Sequence, residues 1–299
     1  MVGFASAPRI KLLNRSTDAT APRNAILQQV GSLKAVIPPG DFHDYGFLNT
    51  HLCRFAYFLE RLQSWAPPER DIEVLEMGSY HLHLSILMAR LGYSVKGVDL
   101  PAFVNRAVVA SRAGKFDIEN RPYGLNEFGK PVHLPYSDSS VNVVVCTEVL
   151  EHITFNPIAL WSEVYRVMRD GALLLLTTPN SFSLFNTMAQ LKRLLTFQCV
   201  GPDVAAILGQ ITSGHHWKEY SLPEIKGYFT RISPDFRYLG HEFYGYRDYS
   251  HSKFLYRTIY FLQEKILPKR FRSELFVVFR ATKREGIQLS DPDTAVTST

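Results

Sequence analysis

Apolar residues along the chain follow two rhythms, one helical and one strand-like, and their alternation lays out the elements. From His51 to Trp65, HLCRFAYFLERLQSW sets Leu52, Phe55, Leu59 and Leu62 at helical spacing, and Pro67 and Pro68 end the run. Val74 to Met77 is a short apolar strand. Leu84, Leu87, Met88 and Leu91 then fall on one helical face, which Gly92 is suited to end. Ser94 to Val98 reads as the next strand and Ala102 to Ala113 as a helix. VNVVVCTE, Val141 to Glu148, is a β-branched run of the kind buried on both faces of a parallel sheet. Asn156 and Pro157 open a helix with Leu160, Val164, Val167 and Met168 as its stripe, and Gly171 closes it. ALLLLTT, Ala172 to Thr178, is another buried strand, stopped by Pro179. Leu222 to Phe229 returns to helical spacing, Phe236 to Glu242 to strand spacing, and Glu274 to Thr282 is the last strong strand.

Strand and helix in alternation predict an α/β fold, a parallel sheet layered between helices in Rossmann-like fashion. The expected organisation is a flexible arm over 1–25, an N-terminal helical cap over 26–70, the main domain over 71–285 and a flexible tail over 286–299. Between about 181 and 221 the strand pattern lapses. An insertion there sits at the carboxyl end of the strand ending at Thr178, the edge where open α/β sheets bind ligands, so a lid or substrate wall is expected.

Composition narrows the class only slightly. Hydrophobic residues at 46% and charged residues at 20% are those of an ordinary globular protein that needs no staples. Cys53, Cys146 and Cys199 are widely spaced and form no disulfide or metal-ligand pattern, which suits a reducing cytoplasm. No stretch approaches the roughly 20 apolar residues of a membrane span, and the first residues lack a secretory core. The net charge of +5 is mild and mostly C-terminal, with KILPKRFR, Lys265 to Arg272, as the densest patch. Such a patch can meet nucleic acid, anionic lipid or a phosphorylated substrate, or be a solvated face. Without a separate basic or aromatic RNA-binding module, nucleic acid is not expected as a partner. Upstream of the patch, Tyr256, Tyr260 and Phe261 stand near Arg257 and Lys265. They would pack a helix on the sheet, or rest on a membrane surface and hold a lipid-linked substrate.

The chemistry begins in VLEMGSYHLHLSILMARLGYSVKGVDL, Val74 to Leu100. Gly78 follows the first strand, but Tyr80 and Leu82 stand where a dinucleotide-binding turn has glycine, which disfavours a pyrophosphate. Asp99 ends the second strand, where a carboxylate can accept the hydroxyls of a ribose. A nucleoside cofactor without a pyrophosphate points toward S-adenosylmethionine.

Three ordered blocks then resemble the class I S-adenosylmethionine-dependent methyltransferases, of the kind acting on glycans and small metabolites. They are the stretch just quoted, LPYSDSSVNVVVCTEVLEHI from Leu134 to Ile153, and EVYRVMRDGALLLLTTPN from Glu163 to Asn180. HHWKEYSLPEI, His215 to Ile225, is similar to a stretch of relatives acting on sugars and other hydroxylated substrates. The resemblance implies a mostly parallel seven-stranded sheet whose last strand runs antiparallel between its neighbours. It also implies a cofactor loop of Glu76, Gly78 and Ser79, a ribose carboxylate at Asp99 beside Leu100, and an adenine-facing acid at Asp117. Glu148 and Val149 would line the pocket. Two departures stand out: a single glycine in the turn, and Asn142 in place of the usual aspartate.

Methyl transfer to a hydroxyl is helped by a base, and needs no metal. His152, at the ligand edge, and His215 and His216, on the lid, are the candidates. Asn180 would orient an acceptor or, preferably, cap the next helix. The expectation is a cytoplasmic methyltransferase modifying oxygen on a glycan precursor or another small hydroxylated metabolite. The alternatives are a non-catalytic binding or scaffold protein with the same fold and, less well supported, a nucleic-acid methyltransferase.

Overall fold

The computed structural model describes residues 28–29, 31–38, 41–69, 71–197, 201, 204–209, 215–245 and 254–292. The arm expected over 1–25, parts of the expected lid and the end of the tail lie outside them, as does Cys199. The chain divides into two compact units, Met1–Arg70 and Asp71–Thr299.

The first unit is built on one long helix, α1 (Phe42–Trp65), which starts nine residues before the stretch that spacing marks out. Asp41 explains the early start: its carboxylate accepts the Asp44 amide at 2.9 Å, satisfying an N-terminal donor. Phe55, Leu59 and Leu62 are buried as their spacing predicts, and the helix stops two residues before Pro67.

The second unit holds a seven-stranded sheet. Its strands are β1 (Glu73–Met77), β2 (Ser94–Asp99), β3 (Glu119–Pro122), β6 (Val141–Thr147), β7 (Met168–Pro179), β8 (Phe236–Tyr244) and β9 (Glu274–Ala281); β4 (Gly124–Leu125) and β5 (Pro131–His133) form a separate antiparallel pair. The order is β3-β2-β1-β6-β7-β9-β8. β1, β2, β3, β6 and β7 run parallel, and β9 is antiparallel to both β7 and β8. The last strand of the chain thus inserts between its neighbours, as the resemblance implied. The helices flanking the parallel part are α2 (His83–Arg90), α3 (Ala107–Lys115) and α4 (Ile158–Val167), and α5 (Leu184–Leu195), α6 (Leu222–Ile232) and α7 (Phe254–Phe261) follow.

Local chemistry explains most boundaries. Val143, Val144, Val145 and Cys146 are all buried, as a strand covered on both faces requires. β7 begins at Met168, directly after α4, so Gly171 does not close that helix; it lies inside the strand at φ +79°. The expected helix over 102–113 is two pieces, a turn at Pro101–Val104 and α3. α6 opens with a capping box: the Ser221 hydroxyl faces the Glu224 amide, and the Glu224 carboxylate accepts the Ser221 amide at 2.8 Å. Glu163 and Arg166 of α4 clamp the preceding loop, through the Leu134 amide onto Glu163 and through Arg166 onto the carbonyls of Leu134 and Tyr136. Among the described residues, no helix is long and apolar enough to cross a membrane.

Candidate active site

Register brings the candidate residues to one edge. Met77 pairs with Val98 on one side and Cys146 on the other, so β1, β2 and β6 end level. Gly78, Asp99 and the turn after Thr147 therefore share the carboxyl edge of the sheet.

The turn after β1 keeps a left-handed backbone at three alternate positions: Gly78 at φ +76°, Tyr80 at +40° and Leu82 at +63°. Only the first is glycine. A side chain in this conformation costs roughly 1–2 kcal/mol, so the surroundings must hold Tyr80 and Leu82 there. The Gly78 amide donates to the Val98 carbonyl at 2.8 Å, the Tyr80 amide to Asp99 Oδ2 at 2.7 Å and the Leu82 amide to the Ser79 carbonyl at 2.7 Å. Leu82 is fully buried. The Tyr80 ring meets Phe103 edge-on, 5.0 Å between centroids, with the Arg106 guanidinium 5.5 Å above it. The glycine at 78 is steric as well as conformational: a Cβ there would come within 2.6 Å of Val149 Cγ2.

Asp99 is buried, its two oxygens accepting the amides of Tyr80 and Leu100, each at 2.7 Å. Burial pushes its carboxyl up to about 6, against the pull of those two amides and of Arg106. A carboxylate offers about four acceptor positions, so two remain for donors such as ribose hydroxyls.

The other cofactor candidates separate. Glu76 is buried and accepts the Ser85 hydroxyl from α2. Ser79 turns back toward the sheet, donating to Asn120 Oδ1 at 2.9 Å. Leu100 packs against the main core, as does Val149. Glu148 has a left-handed backbone, φ +54°, and its amide donates to the Thr177 carbonyl at 2.9 Å. Asp117 does not join them. It is exposed and precedes β3, at the amino end of the strand, whereas Pro122 at the other end pairs with Asp99. The parallel direction of β3 thus puts Asp117 at the edge opposite Asp99, away from the adenine-facing place that the resemblance implied. The carboxyl end of β3 presents Tyr123 instead, which sequence reasoning passed over. Its amide donates to the Asp99 carbonyl at 2.9 Å. Burial pushes its hydroxyl well above the ordinary value, Asp99 and Cys146 add to the rise, and the Gly78 backbone opposes it.

The histidines converge. His152 ends the turn at Leu150–His152, and its Nδ1 lies 3.0 Å from the His215 carbonyl. Its ring stands edge-on to His216, 4.8 Å between centroids. The Trp217 amide donates to the Glu151 carbonyl at 2.9 Å, pinning the segment carrying both histidines to the β6 turn. His215 is buried beside Trp217, and His216 is exposed. Asn180 is not the cap of α5, although its Oδ1 accepts the Phe182 amide at 3.1 Å just ahead of that helix. It is buried, with Nδ2 donating to the carbonyls of Arg270 and Arg272 at 2.8 Å each, while Ser183 caps α5.

The methyltransferase-domain family matches this chain over residues 49–231, more than half of its length. The chain belongs to that family. A protein of Mycolicibacterium smegmatis (strain ATCC 700084 / mc(2)155) named "probable S-adenosylmethionine-dependent methyltransferase" is 33% identical over 108 residues, 36% of this chain and 38% of the relative. The match thus spans little more than a third of that relative's length. Among solved structures, a chain from a complex of the Haloferax volcanii Trm112 methyltransferase activator aligns with a TM-score of 0.54 at 14% identity, covering 85% of this chain and 97% of its own. An S-adenosylmethionine-dependent methyltransferase from Mesorhizobium loti aligns at 0.50 and 14%, covering 74% of this chain and 96% of its own. At these identities the two structures speak for the fold.

Proposed function

We propose that the protein is an S-adenosylmethionine-dependent methyltransferase acting on oxygen of a glycan precursor or another small hydroxylated metabolite. The observation that carries this reading is Asp99, a buried carboxylate at the end of β2, hydrogen-bonded to a turn with the left-handed backbone of a glycine loop. The residues fit the cofactor: Asp99 has acceptor positions left for a ribose, apolar Leu100 follows it directly, and Val149 lies against Gly78. Bound there, S-adenosylmethionine supplies a methyl group on a sulfonium, so the enzyme's task is chiefly alignment and exclusion of water.

The protein's own residues supply the remainder. With Nδ1 facing a carbonyl, His152 carries its proton there, which makes Nε2 the ring atom to take the proton of an acceptor hydroxyl. His216 stands beside it at the open side, and His215, buried, holds the segment in place. The segment over 181–221 is read as a wall for the acceptor.

Calorimetry with S-adenosylmethionine tests the cofactor assignment: binding to the native protein and its loss in Asp99→Ala are expected. No heat with either protein leaves the non-catalytic scaffold as the better reading. A panel of hydroxylated acceptors, followed through release of S-adenosylhomocysteine, then tests the substrate class.

A surface feature bears on the acceptor. Met188, Leu191 and Leu195 of α5 are exposed at successive helical turns, and Phe254, Tyr256 and Phe261 of α7 are exposed as well. Phe185 stacks on Tyr260, 5.9 Å between centroids, so the two helices are neighbours. Exposed Lys192, Lys265, Lys269 and Arg270 accompany them. Apolar side chains among lysines and arginines suit the headgroup region of an anionic membrane, where a lipid-linked acceptor would be held.

A further inference from the structure

The turn after β6 and the segment before α6 bring together three groups that sequence spacing keeps 64 residues apart, Glu151 and His152 from one, His216 from the other. One ligand-capable atom of each lies within 4.8 Å of the other two. The surroundings of these groups are specific. His152 directs Nδ1 to the His215 carbonyl at 3.0 Å, and His216 directs Nδ1 to Glu219 Oε1 at 3.4 Å. Each ring therefore has its Nδ1 beside an oxygen acceptor, the outer contact that orients and tautomerises metal-binding imidazoles. Glu151 accepts the Thr178 hydroxyl on Oε2 at 3.0 Å, while Oε1 lies 4.0 Å from His152 Nε2. Edge-on rather than stacked rings let two imidazoles point at one centre.

We propose that Glu151, His152 and His216 form a binding site for a divalent transition-metal ion, through one carboxylate oxygen and two Nε2 atoms. Two imidazoles and one carboxylate suit Zn²⁺ and its first-row neighbours and do not suit Mg²⁺, which prefers an all-oxygen shell. Ligand atoms around Zn²⁺, each at about 2.1 Å, stand roughly 3.5 Å apart, so rotations moving atoms by about an ångström close the set. His216, exposed, has that freedom, whereas Glu151 is fixed by burial and by Thr178. Three protein ligands leave a position open, the pattern of reactive rather than structural sites. The site stands independently of the methyl-transfer reading; only the occupation of the open position by an acceptor oxygen rests on that reading. An ion here takes the same His152 lone pair that would otherwise accept a proton.

Tag-free, chelator-treated full-length protein is titrated with Zn²⁺ by calorimetry and with Co²⁺ by visible absorption. S-adenosylmethionine is titrated separately on the same preparation. The expected result is one Zn²⁺ per chain, a Co²⁺ spectrum of low coordination number, no comparable Mg²⁺ binding, and affinity lowered at least ~100-fold in His216→Ala. Glu151→Gln should lower it as well. Since that change is buried and can unfold the protein, His216→Ala, at an exposed position and checked by circular dichroism, is the deciding variant. Zn²⁺ bound equally by His216→Ala and the native protein, or no stoichiometric uptake, overturns the site. Normal Zn²⁺ uptake without S-adenosylmethionine binding would instead sink the methyltransferase reading and leave this one standing.

Discussion

At the scale of single residues, Asp99 has the clearest pH signature. Its carboxyl sits at about 6 because burial disfavours the charged form. Ribose hydroxyls donate to the ionised form, so affinity for S-adenosylmethionine should rise with pH through about 6 and fall about tenfold per unit below it. Asp99→Asn should flatten that profile; calorimetry at several pH values reads it, and a slope shared by both proteins would place the titrating group elsewhere. For stability the sign is reversed. An acid whose folded value lies above its unfolded one, about 3.9, makes the fold less stable as pH rises through that window. Gly78 provides a second test. Gly78→Ala places a Cβ 2.6 Å from Val149 Cγ2 on a left-handed backbone. A loss of roughly 1–3 kcal/mol in urea unfolding is expected, together with weaker cofactor binding. Unchanged stability would show that the turn relaxes freely.

At the scale of elements, Asp235 ties the end of β9 to the start of β8. Its Oδ2 accepts the Tyr165 hydroxyl at 2.6 Å and the amides of Arg284, Glu285 and Gly286 at 2.9–3.0 Å. Burial alone would raise its carboxyl, but the Tyr165 hydroxyl and the three amides outweigh it and hold it at about 2. A depressed acid contributes stability that is present above its unfolded value, about 3.9, and lost as pH falls through about 2. Asp235→Ala should therefore cost about 2–3 kcal/mol near neutrality, and less as the medium is acidified. Urea melts at two pH values check this; an equal cost at both would mean that packing, not charge, is lost. Elements also differ in how legible they are. β6 and β7 each carry an unbroken apolar run, Val143 to Cys146 and Ala172 to Leu176, and stand out in the chain. β3, with the sequence Glu-Asn-Arg-Pro, carries no such signal, because it is an edge strand held by its pairing with β2 and by Tyr136, whose hydroxyl lies 2.6 Å from the Gly97 carbonyl and 2.8 Å from that of Glu119. Missing β3 also misplaced Asp117, since without the strand its two ends could not be told apart.

At the scale of the whole molecule, the exposed apolar side chains of α5 and α7 raise the question of what meets them. The membrane reading predicts co-sedimentation with vesicles rich in anionic lipid, much weaker with neutral ones and reduced by salt. Leu191→Glu combined with Leu195→Glu should lower that binding at least ~10-fold without altering the fold by circular dichroism. Equal binding by both proteins, or none by either, would point the face to another partner. The amino-acid sequence alone determined the β/α alternation, the positions of its apolar strands and the placing of Gly78 and Asp99 at successive strand ends, because burial on both faces of a sheet demands long apolar runs and a ligand edge demands a turn. Only the tertiary structure decided the edge to which Asp117 belongs, the use of Asn180 and Ser183, the nearness of Tyr123 to Gly78, and the meeting of His152 with His216. Those outcomes depend on strand direction and on contacts between segments distant in the chain, and polar residues held by hydrogen bonds leave no periodic trace.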